Sequence, residues 1–471
     1  MESESRLRTK TKLLYGTGDF GYSMNNSIIA ALFPIFMMDV VGVTPALAAA
    51  ALFIGRSWDY VNDPLVGYLS DRTRTRWGRR RPWLLFGALP FALTFVLLWI
   101  KPAFITTQTG LLLFFAAVYL IYEASATTVY MPYFALTPEL TQDYDERTQL
   151  TSFRMLFNTL GGLTAYTLPM LVIGSMVPEN ANRVVLMAVI FGLLAAVPYL
   201  IVFFSVRENK EYTEQAQPKI KDAFKAVRKN KPFFFGAMIY LCTWIVIILV
   251  ETNLMFYIKY VIKRPGQSSL LMGAIFISAI IALPFWNWIS KKGNKRMAYI
   301  IGVSFWAVMM CVLTILTPQT PIWVLLMMCM LIGFGLSAAQ VLPWAIIPDA
   351  IEWDEYQTGE RHEGTFYSLI TLMGKIANSI AVPLSLLLLE ITGYVSNAVE
   401  QPPSALLGLK IVIGPIPAAL LLTGIVFAIF YPLSREKYTQ VVTELNLRKE
   451  ARRKARAEKS QLEIESQPFV D

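Results

Sequence analysis

The chain has 471 residues, 55% of them apolar and only 16% charged, and its mean hydropathy is positive. Soluble domains run about 45–50% apolar and about 25% charged, so a soluble globular fold is excluded. The net charge of +9 on such a chain marks basic cytoplasmic loops, and a nucleic-acid partner is not expected.

Apolar runs of about 20 residues, enough to cross a bilayer, recur along the whole sequence. Runs this long specify helices, not barrel strands. Twelve spans are predicted, at about 13–38, 45–70, 83–101, 109–137, 149–175, 184–205, 233–260, 268–290, 297–317, 321–347, 364–393 and 405–432. The expected fold class is an all-α polytopic membrane protein, with twelve transmembrane helices in two six-helix bundles and both termini cytoplasmic. Residues 1–206 form the first bundle, 207–231 a cytoplasmic middle loop, 232–433 the second bundle, and 434–471 a basic cytoplasmic tail. In the middle loop Ile220, Ala223, Phe224 and Val227 make an apolar stripe, expected as a short amphipathic helix on the membrane surface. The N-terminal residues are polar, with no cleavable signal pattern. Cys242, Cys311 and Cys329 lie in apolar segments without metal spacing, so neither a disulfide nor a metal is expected of them.

Span 1 carries Asp19, within Gly16-Thr17-Gly18-Asp19. That string matches the GxGD motif of intramembrane aspartyl proteases. A protease also needs a second aspartate in a Tyr-Asp context, and here Asp59 follows Trp58. No nucleotide-binding loop, HExxH or Ser-His-Asp arrangement is visible. The chain is therefore not read as an enzyme, and no cofactor is expected.

Span 2 carries Asp59, Asn62 and Asp63 at i, i+3 and i+4, one face of a helix. A carboxylate at the bilayer centre costs about 2.5–3.5 kcal/mol on insertion scales. Two of them one turn apart also repel, so either one stays protonated or something positive sits between them. With a facing Thr127 from span 4 they offer hard oxygen ligands, suited to Na+, Li+ or a proton. Arg56, one turn earlier, either neutralises Asp19 or a neighbour or serves as a ligand. Glu123, Arg154, Glu251 and Lys375 are further ionisable residues inside spans 4, 5, 7 and 11, which mark pathways by default. Lys259, near the outer end of span 7, is expected to snorkel to the interface.

The 2–3 loop holds Arg72, Arg74, Arg76, Arg79, Arg80 and Arg81. The 4–5 connection, from Pro132 through Glu139 to Arg147, and the 10–11 connection, from Pro343 through Asp349 to Arg361, repeat one pattern. Each has two prolines, an acidic stretch and a late arginine. Parallel six-span repeats of this kind signal the major facilitator architecture. Arg72, Arg80, Arg147, Asp349 and Arg361 are candidates for a cytoplasmic gate, or else solvated turn residues. His362 is expected as a loop residue.

Gly18-Asp19-Phe20-Gly21, Trp58-Asp59 through Gly67, Ser70-Asp71-Arg72-Thr73-Arg74 and Gly78-Arg79-Arg80-Arg81-Pro82-Trp83 resemble the glycoside–pentoside–hexuronide:cation symporters. Pro348-Asp349, Gly364, Lys375 and Gly393-Tyr394 continue the likeness. The resemblance implies secondary active symport of a sugar or glycoside with Na+ (or H+ or Li+) by alternating access. It implies a multi-pass protein of the cell membrane, the inner membrane in a bacterium, acting as a monomer. By position, the family's cation site falls on Asp59, Asn62, Asp63 and Thr127. Its solute site falls on Asp19 and Arg154, with Tyr130, Phe134 and Gln340 available beside them. Arg56, Glu123 and Lys375 would make the charged network between the halves. Tyr130 stands where a sugar-transporting member has a binding aspartate, and Phe134 where it has a stacking tryptophan. Ala126 and Gly18 also depart from that member. Gly55-Arg56-Ser57-Trp58-Asp59 and Phe153-Arg154-Met155 resemble the sodium-dependent lysophospholipid symporters, which implies an amphiphilic solute instead. A third reading, a non-transporting sensor, has only the basic tail from Arg435 to Lys459 in its favour; that tail also suits anionic lipid headgroups.

Overall fold

A computed structural model describes residues 7–141, 144–208, 230–292, 294–359, 363–433, 436–445 and 447–448. The expected amphipathic helix of the middle loop, most of the basic tail, Arg361, His362 and the side chain of Arg147 lie outside the described residues.

Helices carry the fold. In the first half they are α1 (Thr9–Ile35), α2 (Pro45–Ser57), α3 (Asp59–Arg72), α4 (Arg81–Leu98), α5 (Gln108–Leu140), α6 (Tyr144–Ile173) and α7 (Ala181–Ser205). In the second they are α8 (Lys231–Phe256), α9 (Ser268–Lys292), α10 (Lys295–Leu313), α11 (Ile322–Thr358), α12 (Glu363–Ile391), α13 (Pro403–Ile413) and α14 (Pro415–Ile429). Among the described residues, eleven segments are long and apolar enough to cross a membrane. The remaining expected span, 45–70, is α2 with α3. It falls short because it is broken at Trp58 and carries Arg56, Asp59 and Asp63. The expected last span is also broken, at Gly414, where Pro415 and Pro417 cannot donate to the preceding turn.

Two expected connections are helical instead. α5 runs on through Pro132 to Leu140, and α11 runs through Pro343 and Pro348 to Thr358. Packed neighbours can satisfy the carbonyls a proline frees, so membrane helices tolerate what would end a soluble one.

In the first half α1 packs on α6 and α7, and α4 on α5 and α7. In the second α11 packs on α9 and α10, and α8 on α11, α12 and α14. Glycines set two of the closest approaches. A Cβ on Gly21 of α1 would overlap the carbonyl oxygen of Ala195 in α7, and a Cβ on Gly333 of α11 that of Ile275 in α9. The halves meet where α1 touches α8, α2 touches α12, and α6 touches α9. At their C-terminal ends α1 and α8 each pass into a π-helical turn, Phe36–Val41 and Tyr257–Val261.

Candidate cation and solute site

The break at Trp58 places Asp59 at the start of α3, with Asn62 and Asp63 on the next turn. All three turn inward. Asn62 is buried and donates to the carbonyl of Glu123 on α5 at 3.2 Å. Thr127, one turn further along α5, donates to Asp63 Oδ1 at 3.3 Å. Opposite them stands Lys375 of α12, from the other half. Its ammonium pairs directly with Asp63 Oδ2 and lies 4.0 Å from Asp59 Oδ2. Asp59 Oδ1 is buried with no hydrogen-bond partner among the described residues.

Lys375 does not act alone. Asn378 accepts from Arg56 Nη1 at 3.2 Å, and Ser379 accepts from the Tyr60 hydroxyl at 3.1 Å. Lys375, Asn378 and Ser379 are spaced i, i+3, i+4, the same spacing as Asp59, Asn62 and Asp63. Two polar stripes, one from each half, therefore face each other on α12 and on α2–α3. Sequence reasoning missed Tyr60, Asn378 and Ser379; that second stripe was the available signal.

Arg56 is buried, and it does not neutralise Asp19 as one expectation had it. It reaches across to Asn378, in the field of Glu123 and Glu251. Glu123 is buried beside Tyr119, Arg56 and Asp59. Arg56, Glu123 and Lys375 thus gather around the aspartates. Of the five charged groups Asp59, Asp63, Glu123, Arg56 and Lys375, three are acids and two are bases. With all of them ionised the cluster keeps one negative charge in excess.

Asp19 and Arg154 lie elsewhere, inside the first half, and are spent on each other. Arg154 Nε and Nη2 fork onto the Asp19 carboxylate at 2.5 and 3.3 Å. Tyr133 donates a third bond to Asp19 at 3.2 Å, and Arg154 Nη1 reaches Thr137 at 3.2 Å. Both residues are buried. Removing one partner of such a pair leaves an uncompensated buried charge, at a cost of about 3–5 kcal/mol. The Arg154 guanidinium also lies 4.5 Å above the Phe134 ring. Phe134 is half exposed, and Tyr130 stacks on Tyr22 with ring centroids 3.8 Å apart. Gln340 is half-buried on α11; no polar contact joins it to Asp19 or Arg154 among the described residues.

Of the cytoplasmic candidates, Arg80 and Asp349 have ion pairs within their own halves. Arg80 bonds Asp71 at 3.0 Å, and Asp349 accepts from Lys295 at 2.6 Å. Arg72 lies over the Tyr68 ring at 4.1 Å. Glu208, where the first half ends, accepts from the backbone N–H groups of Arg79, Arg80 and Arg81 at 2.7–2.8 Å, capping α4. At the outer end Lys259 corrects an expectation. It is half-buried, and its ammonium pairs with Asp39 of the first half.

The family model described as MFS/sugar transport protein matches residues 14–435. An uncharacterized symporter of Synechocystis, sll1374, is 30% identical over 95% of this chain and 98% of its own length. The sodium-dependent lysophosphatidylcholine symporter 1-A of Danio rerio is 26% identical over 95% of this chain and 91% of its own. In fold, the chain superposes on a D-xylose-proton symporter with a TM-score of 0.63, over 88% of this chain and 96% of that one, at 16% identity.

Proposed function

The chain belongs to the MFS/sugar transport protein family, and on that premise we propose that it couples the entry of Na+ to the uptake of a solute by alternating access of its two halves. It is a multi-pass membrane transporter, not an enzyme. The observation that carries the cation reading is the orphaned Asp59 Oδ1, buried beside an acid pair that has drawn in an ammonium from the other half. Buried acceptors are rarely left unpaired, and a monovalent cation supplies the missing partner. Asp59 and Asp63 would ligate it, with the Asn62 and Thr127 oxygens assisting. The hard oxygen set suits Na+ over a soft metal; Li+ and H+ fit the same charge. The names of relatives such as the lysophosphatidylcholine symporter favour Na+.

For the solute, a glycoside and an amphiphile with a charged head are equally supported classes. A glycoside needs free hydrogen-bonding groups, and Asp19 and Arg154 already satisfy each other. An amphiphile needs apolar surface, which half-exposed Phe134 offers. A zwitterionic head would find acids and bases together where α2–α3 meets α12. The glycoside reading is favoured by the description of the family model. Uptake of labelled glycosides and of lysophosphatidylcholine, each with and without an inward Na+ gradient, separates the two.

The cation assignment has its own test. Asp63→Cys is expected to abolish Na+-driven uphill accumulation while leaving downhill flux. Uphill, Na+-stimulated uptake that survives this change would sink the assignment.

A further inference from the structure

We infer that Asp39, Lys259, Tyr260 and Tyr394 form an ionic latch across the outer ends of the two halves, closed in this state and broken at the step that opens the protein outward. Asp39 sits in the π-helical turn that ends α1, and its side chain is fully covered. Its Oδ2 accepts from Lys259 Nζ at 2.5 Å and from the Tyr260 hydroxyl at 2.6 Å. Its Oδ1 accepts from the Tyr394 hydroxyl at 2.6 Å. All three donors belong to the second half. Lys259 in turn donates to the carbonyl of Met176 at 2.7 Å, so both of its bonds run to the first half.

This arrangement differs from a static strut. No donor from its own half holds the Asp39 carboxylate in these contacts, so parting the halves strips Asp39 of all three bonds at once. A bare carboxylate and a bare ammonium are tolerated only in water. The cluster therefore has two low-energy arrangements: paired and dry, or separated and hydrated. Such bistability is what a gate requires. Both sides of the latch are presented by π-helical turns, a geometry that often marks functional sites. Its neighbours across the same seam are single bonds, from Ala46 N to Glu390 and from Ser396 to the carbonyl of Val43.

The inference rests on the transporter reading but on neither the ion nor the solute assignment, and its test uses neither. In a chain with Cys242, Cys311 and Cys329 replaced by serine, spin labels go on Phe104→Cys and Val399→Cys. Both positions are exposed in outer loops, one in each half. Distances are read by pulsed electron paramagnetic resonance in lipid nanodiscs without solute. Asp39→Asn and Lys259→Met are expected to raise the population of the longer distance about 5-fold or more. The swap of Asp39→Lys with Lys259→Asp is expected to restore the short one. Single variants that keep the parent distribution overturn the latch. Should they fail to fold, Tyr394→Phe carries the test, because it keeps both charges and removes one bond. A smaller shift in the same direction supports the latch, and no shift overturns it. A failed latch leaves Na+-stimulated uptake untouched, whereas a failed symport reading leaves these distances as predicted.

Discussion

At the scale of single residues, the site is a problem of unpaired atoms and forbidden volumes. Asn62 and Thr127 spend their donors on the Glu123 carbonyl and on Asp63, which leaves their oxygens for an ion. Thr127→Val keeps the shape and removes that oxygen. It is expected to weaken Na+ activation of uptake about 10-fold to 150-fold, the range of one bond to a charged group at about 1.5–3 kcal/mol. An unchanged Na+ activation curve would remove Thr127 from the ligand set. Volume acts at Gly21, where a Cβ would meet the Ala195 carbonyl, while nothing lies within 4 Å of a Cβ on Gly67. Gly21→Ala should therefore destabilise by about 1–3 kcal/mol. Gly67→Ala, inside α3, should stabilise by about 0.5–1 kcal/mol. Thermal unfolding in detergent reads both, and equal shifts would refute the packing argument. The acid stripe was legible in the sequence because charges inside an apolar run stand out, and a helix fixes which of them share a face. Asp39 was not. It falls at the predicted edge of span 1, where an acid reads as a loop residue, and only the packing of α8 against α1 shows it buried.

At the scale of elements, the proline-bearing stretches near Pro132 and Pro343 show where sequence punctuation misleads in a membrane. They read as connections, yet α5 and α11 continue through them, because neighbouring helices can satisfy the backbone groups that water would otherwise claim. The break at Trp58 follows no proline, whereas the one at Gly414 comes just before Pro415 and Pro417. α1 and α6 are pinned at their cytoplasmic ends by one carboxylate. Glu146 accepts from Lys12 Nζ at 3.0 Å, from the Leu7 N–H at 2.8 Å and from Thr141 at 3.0 Å. Burial pushes its carboxyl up, but the Lys12 and Thr141 hydrogen bonds, the Lys12 charge and the Leu7 N–H together hold it below the ordinary glutamate value of 4.5. A carboxyl depressed in the folded state adds stability above its unfolded value and loses it as pH falls through the folded one. Glu146→Gln should thus lower the melting temperature near neutral pH. The gap to the parent should shrink as the pH drops below about 4.3. A gap that stays constant across that window would mean the pin works by shape and not by charge.

At the scale of the whole molecule, the question is how a carrier returns without its cargo. The acids lie on the first half, the Lys375 ammonium on the second, and the two meet between the halves. Moving one uncompensated charge through 100 mV costs about 2.3 kcal/mol, and exposing it to hydrocarbon costs more. On the proposed cation reading, Lys375 offsets one of the two aspartates when no coupling ion does, so the ion-free cluster carries one excess negative charge instead of two. On that reading, an arriving ion would compete with the ammonium for Asp63 and so release α12 from α3. Ion occupancy is thereby tied to how firmly the halves hold each other. Lys375→Gln separates these roles. Without the competing ammonium, Na+ should bind more tightly, and solute exchange between two loaded sides should persist. Net uptake should fall about tenfold or more, because the return step now carries a second unpaired charge. Counterflow and net uptake measured in the same proteoliposomes distinguish the outcomes. Equal loss of both would mean that Lys375 serves binding and not the return, whereas unchanged net uptake would mean that the acid pair is neutralised by another group.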